Sequence, residues 1–454
     1  MTFWCEHAWL PGGLAAGVRV ETSAGRVTAV EPGTAPVAAD TVLPGVVLPG
    51  LADAHSHAFH RALRGRTHDD GGSFWTWRER MYAVADVLTP ALYEELATAT
   101  YAELALAGVT AVGEFHYVHH APDGGRYDDP HAMAGALRRA ASRAGVRLTL
   151  LDTCYLHGGL DVDGAAGAYR PLAPSQRRFG DGDADAWRTR VEELRSAWAG
   201  ADDVRVGAAV HSVRALAPDE IAVVAAWAQE HEAPLHAHLS EQPGENQAAR
   251  SVHGTSPTGV LDAAGALGPR TTVVHGVHLD ADDVARLAAS GTAVCVCPTT
   301  ERDLADGLAP VDRLAATGVP LCVGSDQHVA ADLLAEARGL EEQARLRTGR
   351  RGVLAPAAVV EAATAAGHRA LGWDDAGRIE VGARADLVAV ALDTPAVAGT
   401  DPAQLALVAG AGDVRTVVRD GRTVVRDGRH VDLDVAAALR TSIARVWDLV
   451  EEAR

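Results

Sequence analysis

The chain has no lysine: all 41 basic residues among its 454 are arginine. That excludes a Schiff-base lysine, a P-loop lysine and a carbamylated lysine bridging two metal ions, because a guanidinium stays protonated and cannot fill those roles. No apolar run reaches the roughly 20 residues of a membrane helix. The stretch Met1–Ala15 carries Glu6 and lacks a basic-then-apolar pattern, so no secretory signal is expected. Cysteine is sparse and odd in number. Cys5, Cys154, Cys295, Cys297 and Cys322 mostly sit in apolar runs and read as reduced core thiols of a cytoplasmic protein. Positive charge is also short, with 41 basic against 60 acidic residues and a net charge of −19. Nucleic acid and anionic membranes are therefore disfavoured as partners. One local exception, Arg61, Arg64, Arg66, Arg78 and Arg80, would suit a small anionic ligand.

Residues 1–49 read as short strands with turns at Pro11–Gly13 and Pro32–Gly33. Short β-rich runs then alternate with Ala/Leu/Glu/Arg-rich helical stretches such as Ala91–Gly108, Ala186–Trp198, Pro218–His231 and Asp280–Ser290. The strand-like runs are Gly45–Ala52, Thr110–Val118, Arg147–Leu156, Val204–Val213, Pro234–Leu239, Thr271–Leu279, Thr292–Pro298 and Pro320–Ser325. Eight such units predict a (β/α)₈ TIM barrel over 50–377. No GxGxxG follows the first strand, which argues against a doubly wound dinucleotide fold. From about residue 378 the chain is β-rich again. Val-Val-Arg-Asp-Gly-Arg occurs twice, at 417–422 and 424–429, and the Asp-Gly pairs suggest hairpin turns. Segments 1–49 and 378–454 are expected to form one small β-sandwich-like domain, with a terminal helix. Residues 158–183, rich in Gly and Pro, read as a long lid-like loop.

His55-Ser56-His57 closes the first barrel run. Residues two apart on an extended strand point the same way, so both imidazoles can face one ion. His238 ends strand five, with Glu241 three residues later; His211 ends strand four, His275 strand six and Asp326 strand eight. Taken singly these have bland explanations: surface histidines, a buried hydrogen-bonded histidine, or, for Asp326, an N-cap before a helix at Ala330–Arg345. As a set, they deliver ionisable groups to the end of the barrel where such enzymes keep their chemistry. His55, His57, His238 and Asp326 are the candidate ligands of a single divalent ion, Zn²⁺ or, with the same donors, Fe²⁺. Such an ion brings the pKa of bound water toward neutrality. Glu241 could carry a proton to a leaving nitrogen, Asp326 could accept the water's proton, and His275 could stabilise developing charge. Competing motifs are missing: there is no PCxxC after an HxE and no GxSxG. Cys295 and Cys297 read as packing residues.

These motifs closely resemble the mononuclear deaminase branch of the amidohydrolase superfamily, and the resemblance covers nearly the whole chain. Within it the likeness is to the formimidoylglutamate deiminases, carried by His55–Arg61, Ser73–Tyr82, Glu114–His120, His211–Ala215, His236–Gln242, Val274–Leu279 and Gly324–Val329. It implies hydrolysis of N-formimino-L-glutamate to N-formyl-L-glutamate and ammonia in histidine degradation. It further implies that Arg78, Tyr117 and Arg214 bind the substrate carboxylates, that His211 contacts the formimino group, and that a homodimer forms. His60 stands where these enzymes usually carry glutamine. Histidine can donate a similar hydrogen bond but ordinarily titrates near neutrality. The alternatives are a deaminase of a purine, pyrimidine or triazine, predicting an aromatic pocket without converging arginines, and an inactive barrel acting as a scaffold.

Overall fold

The structure, a computed structural model, describes residues 1–68, 74–164 and 168–453. Eight parallel strands follow one another around a barrel: Leu51–Ser56, Val109–His116, Arg147–Cys154, Val204–Val210, Leu235–Leu239, Thr271–His275, Ala293–Val296 and Leu321–Val323. The first three are buried at every position, as expected of parallel strands covered on both faces. The seam between the eighth strand and the first lies at the expected ligands. The His57 N–H donates to Asp326 O (3.2 Å) and the Asp326 N–H to His55 O (2.9 Å). Just before this seam the chains nearly touch: a Cβ on Gly324 would lie 2.7 Å from the Cβ and the carbonyl oxygen of His55. Asp53 strengthens the seam by accepting from the Ser325 N–H (2.8 Å) and Oγ–H (2.6 Å). The barrel floor is closed by the helix Ala365–Ala370, whose last carbonyl pairs with His236 Nε2 (2.9 Å). His236 thus sits one layer below His238 and takes no part in the site above.

A second eight-stranded sheet combines Thr2–Leu10, Gly13–Ser23, Arg26–Glu31 and Thr41–Pro49 with Leu387–Val390, Val414–Arg419, Arg422–Arg426 and Arg429–His430. Both chain ends therefore build one sheet, joined where Leu387–Val390 pairs antiparallel with Thr41–Pro49. Each Asp-Gly pair turns a hairpin, with φ of +48° and +75° at Asp420 and Gly421 and +52° and +70° at Asp427 and Gly428. Positive φ at both central residues is what a two-residue turn needs to match strand twist. The terminal helix Val435–Glu452 packs on the barrel helices Phe74–Val87 and Pro90–Leu106.

Two expectations need correction, and one alternative falls away. The run Gly45–Ala52 is two strands, Thr41–Pro49 of the small sheet and Leu51–Ser56 of the barrel, so His55 lies on the first barrel strand. Segment 158–183, of which 165–167 lie outside the described residues, is not bare loop. It holds the short pairing of Gly159–Leu160 with Tyr169–Arg170 and the 3₁₀ turn Pro174–Phe179. Arg178 anchors that turn in the core by donating to the carbonyls of Ala85, Leu88 and His120. Finally, Asp326 is not the cap of the following helix. That helix is Leu333–Thr348 and its N-cap is Asp332, whose Oδ1 accepts from the Ala335 N–H (3.0 Å). Asp332→Ala is expected to cost about 1 kcal/mol, read as a lower denaturation midpoint with metal content unchanged; an equal midpoint would show the cap to be dispensable.

Candidate active site

One ligand atom each from His55, His57, His238 and Asp326 lies within 4.8 Å of the others, and all four residues are buried. His55 Nε2 is 3.3 Å from Asp326 Oδ1 and 3.2 Å from His238 Nε2, and His57 Nε2 is 3.5 Å from Asp326 Oδ1. The tautomers of two rings follow from their other nitrogens. His57 Nδ1 faces Phe115 O (3.0 Å) and His238 Nδ1 faces His211 O (2.9 Å). A carbonyl only accepts, so each Nδ1 carries the proton and each Nε2 presents a lone pair to the centre. Burial lowers the pKa of all three histidines, keeping them neutral. For Asp326, burial is outweighed by His55, His275 and His57, which hold its carboxyl well below the usual range. Two lone pairs, a carboxylate oxygen and the Nε2 of His55 thus converge, and one proton on that Nε2 cannot serve every contact. A divalent cation can, and a ring held by a backbone carbonyl is the usual setting of a metal-bound histidine.

Glu241 and His275 flank this cluster. His275 Nε2 lies 3.7 Å from Glu241 Oε1 and 4.0 Å from Asp326 Oδ2, while its Nδ1 faces Glu301 Oε1 at 3.7 Å. Burial opposes a charge on His275, but Glu241, Glu301 and Asp326 outweigh it and lift the pKa to about 10. The Glu241 carboxyl is raised above its ordinary value, chiefly by burial. Ser240, His275, Asp326 and His328 all have positive φ, at +50°, +72°, +46° and +57°. Non-glycine residues held in this region cost energy, and the strain gathers at the strand ends that carry the chemistry. Cys297 also lies within reach of His275 and Asp326, although burial pushes its thiol pKa well up.

A cavity with about 570 Å³ of empty space opens over the cluster. Its lining includes His60, Arg78, Tyr117, His211 and Arg214 along with Glu241, His275 and Asp326. The helix Phe74–Val87 contributes Trp77, Arg78, Met81 and Tyr82, a spacing that lies on one helical face. Of the five clustered arginines, only Arg78 lines this cavity. Arg61 and Arg64 pair with Glu103, Arg66 stacks on Trp447, and Arg80 donates to Arg66 O. Ser73, first of the Ser73–Tyr82 stretch, lies outside the described residues. His60 pairs with the Tyr117 hydroxyl (3.0 Å). Burial lowers its pKa to about 3, so His60 stays neutral rather than titrating near neutrality. Sequence reasoning missed Tyr155 and Phe179, which wall the cavity, and Glu301, which braces His275. Tyr155 directly follows the third barrel strand, and that position was its only signal.

Residues 46–424 match the amidohydrolase family. The chain belongs to the amidohydrolase family. Members of the family are metal-dependent hydrolases, in keeping with the donor set above. This amidohydrolase is 38% identical over 440 residues to the formimidoylglutamate deiminase of Pseudomonas aeruginosa, covering 92% of this chain and 94% of that protein. It is 30% identical over 399 residues to the 8-oxoguanine deaminase of the same organism, covering 87% and 85%. A crystal structure of an amidohydrolase from Brucella melitensis superposes with a TM-score of 0.90 at 31% identity, covering 98% of this chain and 99% of that one. The relatives support hydrolysis at a carbon–nitrogen bond. Among the described residues, no helix is long and apolar enough to cross a membrane.

A ligand that binds only the folded state stabilises it by mass action. Zinc supplied about a hundredfold above its dissociation constant is therefore expected to add roughly 2.7 kcal/mol to unfolding, and a chelator to remove it. Calorimetry with and without chelator reads this. Coincident transitions at full metal removal would contradict a folded-state site at these four residues.

Proposed function

We infer that this amidohydrolase hydrolyses N-formimino-L-glutamate to N-formyl-L-glutamate and ammonia. The observation that carries the reading is that one cavity is lined by two carboxylates and by two arginines. Glu241 and Asp326 line it together with Arg78 and Arg214, and the two arginines also line an adjoining cavity that Glu241 and Asp326 do not reach. The substrate has matching polarity, with a basic amidine at one end and two carboxylates at the other. A guanidinium grips a carboxylate through two parallel N–H donors, which sets orientation as well as affinity. Tyr117, whose hydroxyl pairs with neutral His60, would complete this grip, and His211, which lines the same cavity, would contact the formimino group.

His55, His57, His238 and Asp326 would hold the ion, proposed as Zn²⁺ with Fe²⁺ as the alternative. When bound, it supplies Lewis-acid activation of water and of the amidine carbon. Asp326, whose carboxyl stays ionised, accepts the proton released as water attacks. His275, protonated, donates to the attacking oxygen and stabilises charge as it develops. Glu241 carries a proton to the departing nitrogen, which leaves as ammonia.

One observation favours a second reading. Trp77, Tyr82, Tyr117, Tyr155 and Phe179 line the same cavity, the aromatic setting a purine would use. The arginine pair is what this alternative leaves without a role. Ammonia release from N-formimino-L-glutamate, N-formimino-L-aspartate, guanine and 8-oxoguanine separates the two. Preference for formiminoglutamate supports the proposed function, and turnover of the bases alone overturns it.

A further inference from the structure

Glu245 stands behind the cavity, on the first turn of the helix Pro243–His253, with a side chain 1% exposed. Its Oε2 accepts from the backbone N–H of Glu241 (3.2 Å). Its Oε1 lies 4.0 Å from Nε of Arg214, and both of these buried atoms lack a hydrogen-bond partner. Arg214 lines two neighbouring cavities, one shared with Glu241 and the other with Glu245. Burial pushes the Glu245 carboxyl above its ordinary range, and Arg214 is the first group that pulls it back.

We propose that Glu245 is a positioning residue that joins the arginine gripping the substrate to the loop bearing the proton carrier. This rests on the function proposed above. A guanidinium can present Nε to one carboxylate and its two terminal nitrogens to another. Arg214 can therefore face Glu245 and a substrate carboxylate together. Closing the 4.0 Å gap satisfies two buried groups whose lack of partners is costly. The other oxygen of Glu245 holds the Glu241 N–H next to Ser240, whose φ is +50°. This backbone would relax if released. Seating a carboxylate on Arg214 and fixing Glu241 thus become one event, and substrates lacking the carboxylate forfeit part of the rate as well as the affinity.

A simple helix-capping role requires only the bond to the Glu241 N–H, so its loss should be independent of Arg214. The test is a double-mutant cycle on the zinc-loaded protein with N-formimino-L-glutamate, with metal content and melting temperature recorded for each variant. E245A is expected to lower kcat/KM by about 100-fold in the wild-type background and by less than about fivefold in R214A. Costs that multiply across the cycle would overturn the coupling and leave Glu245 as a cap. Wild-type protein that binds metal but does not turn over this substrate would overturn the function proposed above, and the coupling with it. If E245A does not fold, E245Q carries the same cycle. It keeps an acceptor for the Glu241 N–H and removes the charge facing Arg214. Its loss of kcat/KM must then also disappear in R214A, and an undiminished loss there would overturn the proposal.

Discussion

Glu241→Gln is expected to keep its metal and its fold while losing about 10³–10⁴ in kcat. The amide matches the carboxylate in shape, and the backbone at this position is held through the Glu241 N–H to Glu245 rather than through the replaced side chain. What disappears is the ability to accept and return a proton beside the reacting carbon. KM should move little, because the proposed grip by Arg78 and Arg214 comes from other elements. Metal content by elemental analysis and steady-state kinetics decide the matter together. Near-wild-type turnover with full metal would remove Glu241 from proton transfer. Loss of the metal would instead show Glu241 to be a ligand.

Arg214→Ala is expected to raise KM for N-formimino-L-glutamate by about 10²–10³-fold, the cost of leaving a desolvated carboxylate without its partner. Neutral amidines should be far less affected, because they never use the guanidinium. Arg214→Lys should recover only part of the loss, since a point charge does not reproduce a planar fork of donors. An unchanged KM in Arg214→Ala would assign the carboxylate grip elsewhere.

The barrel was legible because parallel strands covered on both faces read as separate apolar runs with helices between them. The first boundary was not. In the stretch from Val46 to Ala54 the small sheet hands over to the barrel at Gly50 with no polar interruption, and only the pairing partners tell the two strands apart. His55, His57, His238, His275 and Asp326 could be found because each closes a strand-like run, and the fold brings such ends together. Phe179 and Trp77 were silent, since an aromatic residue looks the same in sequence whether it fills a core or lines a cavity. The arginine cluster misled in the opposite direction. Charge was visible, but the partners that engage Arg61, Arg64, Arg66 and Arg80 outside the cavity were not. His60 shows the same limit for titration, because burial sets its protonation state and burial is a property of the folded chain.

The decisive measurement is of the products formed from N-formimino-L-glutamate by zinc-loaded protein. Hydrolysis can break either carbon–nitrogen bond of the amidine. The proposed function has arginine hold the carboxylates and Glu241 stand beside the terminal nitrogen, so ammonia and N-formyl-L-glutamate should appear in equal amounts, with kcat/KM at or above about 10⁴ M⁻¹ s⁻¹. Formamide with free glutamate, or no reaction from protein carrying a full equivalent of metal, would contradict it.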